Sequence, residues 1–143
     1  MPNPPARAQS DKAWYRPSND TVGMPARELF ASSEGYYTTL FHELTHSTGH
    51  ASRIGREGIE QLNTFGSELY SKEELIAEMG ASMLAGVCGI SPAVIDNSAA
   101  YLSNWIRVLK GDSKLLVQAA SAAQKAADFI RGLSKPVELE EEN

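Results

Sequence analysis

The five residues His42-Glu43-Leu44-Thr45-His46 constrain this chain more than anything else in it, because their surroundings dictate an α-helix. Ser32 or Ser33 can cap its start, Glu34 complements the positive end of the helix dipole, and Gly49 is suited to end it, which predicts a helix over about 33–48. Tyr37, Leu40, Phe41 and Leu44 recur at helical spacing and predict one buried stripe. At ~100° per residue, that stripe centres roughly opposite the arc carrying His42, Glu43, His46 and His50. All three histidines of the chain lie in this segment, so the face away from the stripe is built for polar chemistry.

Histidines four residues apart stand one turn above each other, where two imidazole nitrogens can reach one Zn2+ at ~2.0–2.1 Å. Glu43, turned ~100° from His42, can face a water at such a site without ligating the metal, as a general base must. A catalytic zinc takes three protein ligands and keeps its fourth position open. No fourth histidine or second cysteine exists, which leaves His50 or an acidic residue. His50 follows Gly49 and does not fit the HExxHxxGxxH spacing, so it is expected beside the metal, facing substrate or solvent, rather than on it.

The acidic candidates are Glu73, Glu74 and Glu78 on a second helix. Glu74 and Glu78 lie one turn apart, opposite the large apolar residues of that helix, and Ala81 and Ala85 continue their face with side chains small enough for close approach. This suggests Glu74 as third ligand and Glu78 as acceptor for a ligand histidine's other ring nitrogen, with the reverse assignment open. A blander reading competes: Ser71-x-x-Glu74 has the form of a capping box, in which Glu74 only satisfies the helix start.

The rest of the chain frames this constellation. A length of 143 residues suits one domain. Residues 1–12, with Pro2, Pro4 and Pro5, read as a flexible leader, and residues 134–143, ending in ELEEEN, read as an acidic disordered tail, leaving a domain over 13–133. Between Trp14 and Pro25, β-favouring residues flank Pro17-Ser18-Asn19-Asp20 and predict a hairpin. Residues 51–70 read as a long connection. A second helix is expected from Ser71, with Leu75, Ile76, Met79, Met83 and Val87 on one face. A third should open at Asn97 or Ser98, and a fourth, alanine-rich, should run from Asp112 to about Gly132. The outline is α+β: a small hairpin or sheet followed by about four helices.

A net charge of -5 is the wrong sign for a domain that holds nucleic acid through its phosphates, so no direct nucleic-acid binding is expected. No apolar run approaches the ~18 residues of a membrane span. With Cys88 as sole cysteine and no secretory-type leader, the expected compartment is the cytoplasm.

HExxH followed by Glu-x-x-x-acid on the next helix resembles the gluzincin metallopeptidases, in which the first Glu binds zinc and the acid four residues on orients a histidine. Residues 74–81, ELIAEMGA, also resemble the ExxANxFA signature of ImmA-type peptidases, with Glu78 in place of Asn. A resemblance covering nearly the whole chain runs through DTVGMP, YYTTLFHELTHSTGH, SRIGR, FGSELYSKEELIAEMGASML, YLSNWIRVL and AAQKAADFI. These runs are similar to the zincin-like metallopeptidase domain of ArdC-like antirestriction proteins and TraC-type plasmid primases. In that family the domain follows a single-stranded-DNA-binding domain, which these residues do not include. The resemblance implies a zinc-dependent peptidase acting on a peptide or protein substrate, in a mobile-element or phage setting. Glu43 would be the general base, His42, His46 and Glu74 the ligands, and His50 or Tyr70, less readily Tyr37, the donor to the developing oxyanion. The alternative is a metal-stabilised antirestriction or interaction module with little or no proteolysis.

Overall fold

The computed structural model describes residues 1–61, 67–90 and 112–133, together with Ser103 and Arg107. Three short strands, β1 (Ala6–Gln9), β2 (Trp14–Arg16) and β3 (Thr21–Met24), form one sheet in the order β1-β3-β2. The expected hairpin is β2 and β3, antiparallel with Tyr15 opposite Val22. Its turn closes where the Asp20 amide donates to the Pro17 carbonyl at 3.2 Å. Asp20 sits in the left-handed region with φ of 52°, a conformation Asp tolerates better than most side chains. Its carboxylate is held there by the Tyr15 hydroxyl at 2.7 Å and by the Arg53 guanidinium.

Strand β1 corrects the expectation of a flexible leader. Proline excludes helix from residues 1–12 but is compatible with a sheet edge, and β1 pairs in parallel with β3, Arg7 opposite Val22. All four of its residues are exposed, so backbone hydrogen bonds hold it and no apolar alternation announces it. Ordered structure therefore starts by Ala6 rather than at 13. The expected acidic tail at 134–143 lies outside the described residues, as does the expected third helix apart from Ser103 and Arg107.

After a 3-10 turn at Arg27–Leu29 come α1 (Ser33–Ser47), the single turn α2 (Glu57–Glu60), α3 (Glu68–Val87) and α4 (Ser113–Ile130). The Ser32 hydroxyl accepts from the Gly35 amide at 3.0 Å and starts α1. Helix α3 starts earlier than expected: the Ser67 hydroxyl accepts from the Tyr70 amide at 3.1 Å, so Ser67 is the cap. Ser71 and Glu74 therefore do not form the capping box their spacing allows. Asp112 caps α4 through the Lys114 and Leu115 amides at 3.0 and 3.2 Å, as expected.

The architecture is α+β, with α3 in its middle layer. One core joins the sheet to α1 through Val22, Met24 and Leu40, with Tyr15, Phe30 and Leu44 packed around them. The other joins α3 to α4 through Leu75, Ile76, Ala119 and Ala123. Tyr37 and Val87, expected on buried stripes, are 38% and 56% exposed. Instead Glu43, Thr45, His46, Ser47 and Thr48 are all buried, so the last turns of α1 are enclosed around their circumference. Helix α3 docks over His42, Thr45 and His46, and the Arg56 guanidinium covers Thr48. At the crossing Gly80 faces Thr45 so closely that a Cβ there would lie 2.7 Å from Thr45 Cγ2. Among the described residues no helix is long and apolar enough to cross a membrane.

Candidate metal centre

Helices α1 and α3 run antiparallel, and their facing side chains form rungs. On the first rung His42 Nδ1 lies 2.9 Å from Glu78 Oε1. On the second, His46 Nε2 lies 3.0 Å from Glu74 Oε2, while Glu74 Oε1 reaches back to His42 Nε2 at 3.3 Å. His46 Nδ1 is engaged from the other side by Glu73 Oε2 at 3.0 Å. The two imidazoles meet edge to face, with ring centroids 4.8 Å apart.

Both rings thus share one pattern: Nδ1 donates outward to a carboxylate, and Nε2 turns inward toward Glu74. In a neutral ring an Nδ1 proton leaves the Nε2 lone pair free, the tautomer a metal requires. Four donors at ~2.0–2.1 Å around a tetrahedral ion are separated by ~3.3–3.4 Å. Glu74 Oε1 lies 3.3 Å from His42 Nε2, at that edge length, and Glu74 Oε2 lies 3.0 Å from His46 Nε2, somewhat inside it. One ligand atom from each of His42, His46 and Glu74 falls within 4.8 Å of the others.

The electrostatics of this cluster ask for positive charge. Formally, the carboxylates of Glu43, Glu73, Glu74 and Glu78 outnumber the guanidinium of Arg56 and leave an excess of negative charge around two neutral rings. A cation offsets that excess, and without one protons take its place. Burial disfavours the charged form of His42, but hydrogen bonds to Glu74 and Glu78 overcome it and raise the ring to about 8. Burial likewise opposes charge on His46, and Glu73 and Glu74 outweigh it, lifting that ring to about 10. Burial also works against ionisation of Glu74, yet the two histidines hold it well below the usual carboxylate range. Glu73, disfavoured by burial, is held down by Arg56 first and His46 second.

Glu43 is 9% exposed and follows His42 directly in sequence. Burial pushes its pKa up, against the pull of His46 and His42. A buried carboxylate whose hold on a proton is strengthened has a property a general base needs.

His50 stands apart from this cluster. Its Nδ1 accepts from the Ser52 amide at 3.1 Å and lies 2.9 Å from the Ser52 hydroxyl. With Tyr70 it lines a cavity of about 760 Å3 that also touches Pro17, Ser18, Ile59 and Glu60. Tyr70 precedes Glu74 by four residues, so this cavity opens about one helical turn beyond the second rung. Tyr37 is far from this arrangement in role, its ring lying under the Arg27 guanidinium at 5.4 Å. Sequence reasoning named Glu73 only as one acid among three and missed Arg56 altogether. Helical spacing could have found Glu73, since it lies ~100° from Glu74 around α3; nothing in the sequence pattern singles out Arg56.

Comparison with known proteins finds relatives over most of the chain. A family model described as zincin-like metallopeptidase matches residues 5–122. Two Escherichia coli proteins named DNA primase TraC are 42% and 41% identical over 123 and 122 residues, or 86% and 85% of this chain. A Sinorhizobium fredii protein, y4eC, is 33% identical over 124 residues, 87% of the chain. Crystal structures of the antirestriction protein ArdC from plasmid R388 match at 41% identity over 90% of the chain, with TM-scores of 0.71 for the Mn(II)-bound form and 0.70 for the metal-free form. The chain spans only 8% and 11% of the primases, 39% of y4eC and under half of ArdC, at 48% and 46% of the two solved chains.

Proposed function

The chain belongs to the zincin-like metallopeptidase family, and from that premise we propose that it is a metal-dependent hydrolase cleaving peptide bonds, with Glu43 as general base and His42, His46 and Glu74 holding Zn2+. The observation that carries the proposal is the convergence of both Nε2 atoms on the Glu74 carboxylate, at 3.0 and 3.3 Å, beside the buried Glu43. Two imidazoles and one carboxylate fit Zn2+, and the same N/O set accepts Mn2+, the ion bound to ArdC.

When bound, the metal supplies Lewis acidity that polarises a substrate carbonyl and eases deprotonation of water. The rest is the work of this chain. Glu78 and Glu73 hold the Nδ1 protons of His42 and His46, which fixes the tautomer and aims each Nε2 inward. Glu43 takes a proton from the attacking water and returns it to the leaving amine. An extended peptide can pair along the edge of β2 that no strand among the described residues occupies, whose Pro17-Ser18 turn borders the same cavity as His50 and Tyr70. Those two side chains line that cavity, where His50 Nε2 and the Tyr70 hydroxyl are the groups able to donate.

The relatives favour a mobile-element setting, since one is an antirestriction protein of a plasmid and two are named primases. None of these three carries the name of a peptidase, which supports a second reading: an antirestriction module that works by binding a host or DNA-processing protein. A metal serving only to hold the helices together fits poorly, because metal-free ArdC matches this fold as well as the Mn(II) form, 0.70 against 0.71. Glu43→Gln separates the two readings. It should keep metal and fold while abolishing cleavage of a peptide library and biological activity together. Full biological activity in Glu43→Gln, with loss in His46→Ala, would refute the hydrolase and leave the binding module.

A further inference from the structure

We propose that Arg56 is a positioning residue of the metal centre, its guanidinium fixing the Glu73 carboxylate and Glu73 in turn fixing the His46 ring. The inference rests on the reading of His46 as a metal ligand and adds a control point outside the two ligand helices.

The guanidinium is almost fully enclosed and all three nitrogens are engaged. Nε donates to Glu73 Oε1 at 3.0 Å and Nη2 to Glu73 Oε2 at 2.8 Å, a two-pronged grip that sets the plane of the carboxylate. Nη2 also donates to the Thr45 carbonyl at 2.8 Å, and Nη1 to the Thr48 hydroxyl at 2.7 Å. The same group therefore ties the last turn of α1 to the first turns of α3. Glu73, 4% exposed, keeps Oε2 in reach of His46 Nδ1 at 3.0 Å, so the orientation imposed on the carboxylate passes to the ring.

The loop carrying Arg56 is seated tightly enough to transmit this. A Cβ on Gly58 would lie 2.8 Å from Glu73 Cβ, and one on Gly49 would lie 2.5 Å from Ile59 Cγ1. The two ligand histidines differ here. His42 is oriented by Glu78 from α3, the helix that also carries Glu74, whereas His46 is oriented by an ion pair that reaches into the 48–60 segment. That segment also lines the cavity beside the site, through His50, Ala51 and residues 58–60. Anything that moves the segment shifts His46 before it shifts His42.

A clamp that only stabilised the fold would leave metal affinity untouched once the protein is folded. Arg53 supplies the comparison: its side chain is fully buried and bonds the Ser47 carbonyl and Asp20, but not Glu73. The test measures Zn2+ and Co2+ affinity by chelator competition, with visible spectra of the Co2+ forms, for Arg56→Gln, Arg56→Lys, Glu73→Gln, Arg56→Gln/Glu73→Gln and Arg53→Lys. Thermal melts of the metal-free proteins establish that each is folded.

Arg56→Gln and Glu73→Gln should each weaken metal binding by about 10- to 100-fold and shift the Co2+ bands. The double variant should be no worse than the weaker single one, since both act on one link. Lysine keeps the charge but cannot grip both oxygens, so Arg56→Lys should remain defective while Arg53→Lys binds like wild type. If Arg56→Gln does not fold, Arg56→Lys carries the comparison. Binding within twofold of wild type in Arg56→Lys, or losses that multiply in the double variant, would overturn the inference alone. Failure of the wild-type chain to take up stoichiometric metal would overturn the metal-centre reading and this inference with it.

Discussion

Alanine at Gly80 tests the contact that brings the two ligand helices together. A Cβ there would lie 2.7 Å from Thr45 Cγ2 and 2.8 Å from Thr45 Oγ1, closer than side chains approach in folded proteins. Thr45 cannot easily yield, because it is fully buried and its hydroxyl donates to the Phe41 carbonyl at 2.7 Å. Forcing a methyl into such a site costs about 1–3 kcal/mol, against a helix-propensity gain of about 0.8–1 kcal/mol for Gly→Ala. Gly86, on the same helix and with nothing within 4 Å of its added Cβ, reports the propensity gain by itself. Gly80→Ala should therefore be less stable than Gly86→Ala by about 1–3 kcal/mol, a spread of roughly 3–12 °C in melting temperature for a chain of this size. In a cycle with Thr45→Ala, which removes both clashing atoms, most of that difference should vanish. Thr45 lies between His42 and His46 in sequence, and Gly80 lies just past Glu78. Any shift of α1 off α3 thus stretches the 3.0 and 3.3 Å contacts, and metal affinity should fall in Gly80→Ala but not in Gly86→Ala. Gly80→Ala melting at or above Gly86→Ala would refute the close-crossing argument.

Other expectations concern the supports around the site. Leu75, fully buried between α3 and α4, should cost about 2–5 kcal/mol when cut to Ala, read by denaturant unfolding. Free metal at 100 times its dissociation constant should stabilise the protein by about 2.7 kcal/mol; the melting shift should persist in Glu43→Gln and disappear in His46→Ala. The Asp20 carboxyl, though burial opposes its ionisation, is held below its usual value by Tyr15 and Arg53. Its contribution to stability is thus present above its unfolded pKa of ~3.9 and lost as pH falls through the lowered folded value. Asp20→Asn should flatten the fall in melting temperature below about pH 4.

The spacing of His42, Glu43, His46, Glu74 and Glu78 was legible in the sequence because each relation lies within one helix, where a period of ~3.6 residues fixes which side chains share a face. The hairpin was legible through the chemistry of Pro17-Ser18-Asn19-Asp20. Strand β1 was not, since its four exposed residues are held by backbone bonds that any side chains permit. The burial of the last turns of α1 was hidden for a different reason: it is decided by α3 and the 48–60 segment, partners that helical spacing does not reveal. Arg56 was invisible on the same ground, because its value lies in meeting Glu73 and the end of α1 at once.

What makes the site possible is the division of α3 into two unlike faces. Toward α4 it presents Leu75 and Ile76 to the alanines 119 and 123, a large-against-small packing that fixes the helix in depth and rotation. Toward α1 it presents Glu73, Glu74, Glu78 and, at the closest point, Gly80. Because Glu73 and Glu74 directly precede Leu75 and Ile76, the apolar anchor and the carboxylates cannot rotate independently. The imidazoles and Arg56 hold these carboxylates in the buried cleft, and the α4 contact fixes the rotation of the helix that carries them. Helix α4 carries no candidate ligand, yet the precision of the metal centre depends on it, which is why stability and metal affinity should fall together when that far core is loosened.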